Sequence, residues 1–320
     1  MKGDFNGDGY DDFLVGASGR DEGSTNAGKI YLFFGGADID FSAMTPDKAN
    51  ASFIGDAATE NIGAQDTFSI AGDVNNDGFD DILVGSSKND EINTDSGKVY
   101  LITGSSNVSR YDNVTLSTAA NSSWVGNLTG DLLGATLNFL GDVNGDGFGD
   151  FVFLASGKNG PLSSSEGAAY LVLGNGDMLN KPNVDIESVQ NGTWFGETAG
   201  TGFPTLSGEI LYTTFSGDIN GDGYDDILFT GQINDYGGSN AGKVYLIYGE
   251  PSVGQNSDAR AVNVDNLTWF GEAGGDELFK FMSFFPGDFN DDGLYDVILG
   301  SRLNDEGGGG TGDSGKVYHF

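Results

Sequence analysis

The chain has 320 residues, a net charge of −34 from 48 acidic and 14 basic residues, and no cysteine. Charge of that sign and size repels phosphate backbones and anionic lipid, which argues against nucleic acid and membrane insertion and in favour of cations; the lack of cysteine rules out a disulfide framework and thiol catalysis. With 54 glycines, 6 prolines and 12% aromatic residues, the composition is that of an ordered chain with many tight turns.

The first element is an acidic loop, GDFNGDGYDD at 3–12, and a short apolar run, FLVGA at 13–17, follows it directly. A polar, glycine-rich stretch (RDEGSTNAG, 20–28) leads to an alternating segment, KIYLFFGG at 29–36. After a linker comes an aromatic cue ending in glycine, SFIG at 52–55, then Gly63-Ala64, and then DTFSIAGD at 66–73, which runs into a second acidic loop. The order repeats. The loops are GDVNNDGFDD (72–81), GDVNGDGFGD (141–150), GDINGDGYDD (217–226) and GDFNDDGLYD (287–296). The apolar runs are ILVGSS, FVFLAS, ILFTG and VILGS; the alternating segments are KVYLITGS, AAYLVLGN, KVYLIYGE and KVYHF; the cues are SWVG (123–126) and TWFG (193–196 and 268–271). The first aspartates of the loops, Asp4, Asp73, Asp142, Asp218 and Asp288, stand 69, 69, 76 and 70 residues apart.

A constant period of this size marks a repeat architecture. The segments are short, rich in β-branched and aromatic residues and bounded by Gly, Asn, Asp and Ser, so each repeat reads as four strands, with no helical periodicity. The predicted fold is all-β: a β-propeller of four-stranded antiparallel blades, about five repeats, approximately 1–57, 58–127, 128–197, 198–272 and 273–320. The first repeat begins after its first strand and the fifth stops before its TWFG-type strand. That leaves two arrangements open, a closed five-bladed ring or a stretch of a larger ring. The N-terminal MKGDFNGDGY contains no apolar leader, so the chain is either cytosolic or preceded by further sequence.

Within the loops, position 1 is always Asp, position 3 Asn, position 5 Asp, position 6 Gly and position 9 Asp, while position 8 varies (Asp11, Asp80, Gly149, Asp225, Tyr295) and reads as dispensable. Oxygen-bearing side chains at alternate positions of a tight turn suit a hard cation, and calcium takes 6–8 oxygen ligands. The expected ligands are Asp4, Asn6, Asp8 and Asp12; Asp73, Asn75, Asp77 and Asp81; Asp142, Asn144, Asp146 and Asp150; Asp218, Asn220, Asp222 and Asp226; and Asp288, Asn290, Asp292 and Asp296. The backbone carbonyls of Tyr10, Phe79, Phe148, Tyr224 and Leu294 at position 7 would complete each shell, their side chains packing into the blade. The acid at position 9 is the expected bidentate ligand. Glycine at position 6, and Gly, Asn or Asp at position 4, permit the positive φ of a sharp turn. Position 12, where an EF-hand carries Glu, is here Val15, Val84, Phe153, Phe229 or Leu299 inside an apolar run, which rules that motif out. Magnesium, which holds its waters, is the less suitable ion.

Together, the D-x-N-x-D-G-x-x-D loop, the I-L-V-G run after it, and the aromatic-glycine cue with its later Gly-Ala (Gly63-Ala64, Gly134-Ala135) resemble FG-GAP repeats, the units of the integrin α-subunit propeller. The cue is degenerate in the last two repeats, GFP at 202–204 and ELFK at 277–280. The resemblance covers nearly the whole chain. It implies a calcium-stabilised module of about five Ca2+ sites, extracellular or at the cell surface, serving adhesion or protein interaction without enzymatic activity.

Two other readings differ in kind. A lectin would expose an aromatic platform in every repeat; Trp124, Trp194 and Trp269 stand at one repeat position, but Phe53 replaces them in the first, and core packing is the expected role. A carboxylate-based hydrolase would need a repeat with unmatched acids, and nothing in the sequence singles out two of them. No G-x-S-x-G motif accompanies the single histidine, His319. Asn50, Asn121, Asn191 and Asn266 head glycosylation-type triplets but read as turn residues. Lys29, Lys98, Lys243 and Lys316, replaced by Ala168 in the third repeat, read as structural partners of loop acids.

Overall fold

A computed structural model describes residues 3–39, 44–108, 111–160, 166–195, 217–231, 238, 241–254, 259–260, 267–276, 278, 289–290, 294–301, 303–304 and 315–319. Among these, helix is confined to α1 (Leu116–Ala119) and to 3-10 turns at Pro46–Lys48 and Ile186–Ser188. No helix among them is long and apolar enough to cross a membrane. The rest is strand and turn.

Each segment read as a strand that lies among the described residues forms one; the first strands of the fourth and fifth repeats lie outside them. The first repeat gives β1 (Phe13–Ala17), β2 (Lys29–Phe33) and β3 (Ala51–Ile54). The second gives β4 (Phe68–Ile70), β5 (Ile82–Ser86), β6 (Lys98–Ile102), β7 (Val114–Thr115) and β8 (Ser122–Val125). The third gives β9 (Leu133–Gly141), β10 (Asp150–Ala155), β11 (Ala168–Val172), β12 (Lys181–Asp185) and β13 (Gly192–Phe195). The fourth gives β14 (Ile227–Gly231), β15 (Lys243–Ile247), β16 (Ala259–Arg260) and β17 (Leu267–Phe270); the fifth gives β18 (Ile298–Ser301) and β19 (Lys316–His319).

The chain packs as two compact units. One comprises Met1–Phe139, Gly147–Ala155 and Val172–Gln190, the other Leu140–Asp146, Ser156–Leu171 and Asn191–Phe320, so the division cuts across repeat boundaries. In the first unit, β4-β5-β6-β8 form the antiparallel four-stranded blade expected of each repeat, with Val84 opposite both Phe68 and Tyr100. The strands β1-β2-β3 form the same sheet without its first strand. In the second unit, β14-β15-β17 repeat that arrangement and β18 pairs with β19.

One set of strands was not predicted. β7, β12 and β16 lie in the connections between the third and fourth strands of their own repeats, yet each pairs in parallel with the outer strand of the repeat before: β7 with β3, β12 with β8, β16 with β13. The sequence gives them no apolar run; β12 reads KPNVD.

Middle strands β2, β5, β6, β11, β14 and β15 are buried along their whole length. Covered on both faces, they read as near-continuous apolar runs. The main cluster of the first unit gathers Phe5, Ile30, Phe53, Ile70, Val84, Tyr100, Ile102 and Tyr111, all under 5% exposed. Burying each such side chain contributes about 1.5–3 kcal/mol. Trp124, 4% exposed, packs on Phe151 and Phe153 at 5.5 and 5.2 Å, and Trp194, 1% exposed, on Phe229 at 5.3 Å. The Gly-Ala cue has a steric reason. A Cβ on Gly85 of β5 would stand 2.3 Å from the carbonyl oxygen of Gly134, and one on Gly16 of β1 would stand 2.2 Å from that of Gly63. Only paired glycines let these backbones approach.

Candidate metal centres

Each acidic loop enters the strand after it, in the second repeat joining β4 to β5. The turn is wound around its first aspartate. Asp4 accepts backbone N–H groups from Gly7 and Asp8 on one oxygen (2.7 and 3.0 Å) and from Gly9 on the other (2.7 Å). Asp218 accepts from Gly221, Asp222 and Gly223 (2.6, 3.0 and 2.8 Å), Asp73 from Asp77 and Gly78 (2.9 and 2.7 Å), and Asp142 from Gly145 and Asp146 (2.8 and 3.0 Å). Positions 4 and 6 have the positive φ expected of them, as at Gly7 (74°), Asn76 (61°), Gly9 (86°) and Gly78 (90°). At position 5, Asp8, Asp77 and Asp222 accept the position-7 N–H groups of Tyr10, Phe79 and Tyr224 at 3.0–3.1 Å. At position 3, Asn6, Asn144 and Asn220 accept the position-5 N–H at 2.8–2.9 Å.

Position 9 is buried in every loop: Asp12, Asp81, Asp150, Asp226 and Asp296. Its carboxylate staples the loop to the blade. Asp81 accepts from Val74 across its own loop (3.1 Å) and from Gly104 beyond β6 (2.9 Å). Asp12 does so with Phe5 and Gly35, and Asp226 with Ile219 and Gly249. Asp150 accepts from Gly174 and Asp296 from Phe289. Burial pushes Asp81 up to about 8, against the lowering effect of its backbone donors and with help from the charges of Asp77 and Asp73. Burial likewise raises Asp12 and Asp226 to about 6. In the fifth loop Asp288 and Asp292 lie outside the described residues; the GFP stretch at 202–204 and Asn266 do so as well.

As the loops stand, no three acidic side chains among the described residues are gathered closely enough to hold one metal ion. Their oxygens are turned to backbone donors instead. Two observations fit a cation nonetheless. In the second loop the Asn75 side-chain oxygen is buried without a hydrogen-bond partner, whereas those of Asn6, Asn144 and Asn220 accept a backbone N–H. Asp81 is a buried carboxylate facing two further carboxylates. The donor set is oxygen throughout, and an accepting carboxylate keeps lone pairs for a second partner.

The structure alters one reading. In three loops the position-7 side chain reaches across to the preceding loop: the Phe79 ring lies over Gly7, Tyr224 over Gly145 and Leu294 over Gly221, each where a Cβ would collide at 2.4–2.7 Å. Tyr10 is 47% exposed. At position 8, two of the acids also reach the preceding loop. The carboxylate of Asp80 accepts the N–H of Asp4 at 2.7 Å, and that of Asp225 accepts the N–H of Asp142 at 2.9 Å.

The lysines have structural partners, but the acids they meet stand in the connecting stretches and not in the acidic loops. Lys29 bonds Glu22 and Asn113 and lies over Tyr31; Lys98 bonds Glu91 at 2.5 Å and lies over Tyr100; Lys316 bonds Glu272 at 2.5 Å and lies over Tyr318. Asn50 and Asn121 are turn residues, accepting from Phe34 and Thr103. His319 sits 3.4 Å from Asp296.

Compared with known proteins, residues 1–33 and 67–102 match the FG-GAP repeat family, and these stretches contain the first two loops with β1, β2 and β4 to β6. The chain is 27% identical to integrin alpha-8 of Gallus gallus over 281 residues, 83% of this chain and 22% of that protein. It is 27% identical to integrin alpha-PS2 of Drosophila melanogaster over 271 residues, 81% of this chain and 16% of that protein. Phosphatidylinositol-glycan-specific phospholipase D of Homo sapiens is 27% identical over 217 residues, 66% of this chain and 23% of that protein. The chain thus spans about a fifth of the length of these relatives.

Proposed function

We propose, from the FG-GAP repeats that this chain carries, that it is a calcium-binding β-propeller module for adhesion or protein interaction, outside the cell or at its surface, with calcium structural in each repeat. The observation that carries this is the repeated loop itself. Four described copies wind backbone N–H groups around the first aspartate, place two more oxygens at positions 3 and 5, and bury a third carboxylate at position 9. A dication bound there would supply the positive charge that these carboxylates lack. Asp12, Asp81 and Asp226 hold the loop to the blade through two backbone donors each, Asp4, Asp73, Asp142 and Asp218 hold its turn, and Asn75 offers an oxygen that no protein group uses.

Similarity to two integrin α-chains supports interaction as the role, and a surface of net charge −34 suits a cation-rich medium. Extracellular calcium modules bind at about 10⁻⁴–10⁻³ M, so such sites would fill outside cells. Trp124 and Trp194 have no open face for stacking a sugar. Among the described residues, the buried acids outside the loops are Glu60, Asp131 and Asp276, at one repeat position, and Glu166, which alone departs from it, so no two of them stand apart as a hydrolytic pair.

Thermal unfolding with and without calcium tests the metal. At about ten to a hundred times the dissociation constant each site adds about 1.4–2.7 kcal/mol, and several sites together raise Tm by upwards of about 5 °C over the chelated protein. Identical melting curves would remove calcium from the reading. Beads carrying the chain, passed over protein-coated and glycan-coated surfaces, test the role: calcium-dependent retention on protein supports it, and retention on a defined glycan alone replaces it with a lectin.

A further inference from the structure

We infer that the acid at position 8 latches neighbouring loops in pairs, the first with the second and the third with the fourth, so that a divalent cation held in one loop strengthens binding in its partner. This rests on the cation reading above. The latch is a closed pair of hydrogen bonds. Asp80 of the second loop accepts the N–H of Asp4 at 2.7 Å, and its own N–H donates to the Asp4 carbonyl at 3.1 Å. Asp4 is the residue around which the first loop is wound. The next residue after Asp80 is Asp81, the buried staple of the second loop. Whatever fixes Asp4 therefore fixes the backbone that presents Asp81. The contact is reinforced above the turn by the Phe79 ring on Gly7, and below it by Ser105, whose N–H donates to the Phe5 carbonyl at 2.9 Å.

The third and fourth loops repeat the latch. Asp225 accepts the N–H of Asp142 at 2.9 Å and donates to the Asp142 carbonyl at 3.2 Å, Asp226 follows it, and Tyr224 covers Gly145. The second loop's first aspartate has no such partner in the third, because position 8 there is Gly149. The Phe139 ring takes the space instead, lying where a Cβ on either Gly72 or Gly149 would collide, at 2.7 and 2.4 Å. In the fifth loop position 8 is Tyr295, whose N–H still reaches the Asp218 carbonyl at 3.3 Å, but no carboxylate completes the pair. The irregularity at position 8 thus has a pattern, latched, open, latched, open. Ordering one loop removes part of the ordering cost of its latched neighbour, which is positive coupling without any shared ligand.

Terbium is the probe, with luminescence sensitised by tyrosine at position 7. Tyr10 reports the first loop and Tyr224 the fourth, each isolated by replacing the other with Phe. Emptying the second loop with Asp77→Ala lowers terbium affinity at Tyr10 about five-fold or more, and emptying the third with Asp146→Ala does the same at Tyr224. In an Asp80→Ala or Asp225→Ala background the neighbour no longer matters, whereas Asp80→Asn, which keeps the accepting oxygen, retains the coupling. An unchanged neighbour effect in the alanine backgrounds overturns the latch. So does independence of the two loops with position 8 intact, a measurement that needs no position-8 variant to fold. Terbium binding at neither tyrosine would overturn the cation reading and this inference with it; binding without coupling would overturn the inference alone.

Discussion

Asp81 illustrates what one buried carboxylate does to this protein. Its folded-state value, about 8, lies above the ordinary 3.8, so the folded chain holds a proton that the unfolded chain has released. The associated stability is complete below about pH 4 and is lost as pH rises through 8. Asp12 and Asp226, at about 6, act in the same direction over a shorter range. In chelator, Tm should therefore fall between pH 4 and 8, and saturating calcium should flatten or reverse the slope; urea denaturation at fixed temperature across that range checks it. Asp81→Ala leaves the Val74 and Gly104 N–H groups without their acceptor, and unmet buried donors cost about 1–3 kcal/mol each, so the variant should lose several kcal/mol in chemical denaturation. Glycine supplies a sharper contrast. Gly9 has a φ of +86° and open space around it, while Gly7 at +74° lies under Phe79. Gly9→Ala should cost about 1–2 kcal/mol for the left-handed backbone alone, and Gly7→Ala measurably more in the same denaturation series. The constants at positions 1, 3, 5, 6 and 9 were legible because each loop carries its own copy. Position 8 was not, because its partner sits in a different repeat, 76 residues away for Asp80 and 83 for Asp225.

At the scale of elements, the sequence announces every strand whose residues are apolar on both faces. β5, ILVGS, and β6, KVYLI, leave little choice: they are too short for a helix and bounded by glycine. The parallel strands β7, β12 and β16 were invisible for the opposite reason. They join by backbone hydrogen bonds at the rim, where β12 has no need of apolar side chains and tolerates Pro182. The same gap hid Asn113 and Asn183. Both have a positive φ and both bond a serine on the outer strand they border, Ser52 and Ser123. Element packing makes its own prediction at Gly85. The Gly134 carbonyl facing it is backbone and cannot swing aside, so Gly85→Ala forces β5 away from the start of β9. Overpacking of this kind costs about 1–3 kcal/mol, with backbone contacts at the upper end. A fall in Tm with loss of near-ultraviolet ellipticity from the adjoining aromatic core would show it; an unchanged melt would mean that the two segments separate freely.

For the molecule as a whole, charge is the dominant long-range term. A net charge of −34 raises the energy of the compact state, and simple salt screens it within about 10 Å at 0.1 M. Raising sodium chloride from about 10 mM to about 0.5 M in chelator should stabilise the chain, and the gain should shrink in calcium; calorimetry in the two series separates screening from site binding. The period of about seventy residues was plain in the sequence, and so was the order of strands within it. How the chain divides into compact units was not, since that depends on which repeats share side chains rather than on where a motif begins. The parallel strands bear on this larger scale in another way. An outer strand left bare is a row of unmet N–H and C=O groups, and such a row recruits strands from other molecules. By laying β7 along β3 and β12 along β8, the chain extends each sheet with its own backbone and then stops it, in β12 with a lysine and a proline that no incoming strand can pair past. Segments that look least like structure thus cover the outer strands, and substitutions there should reach solubility before they reach binding.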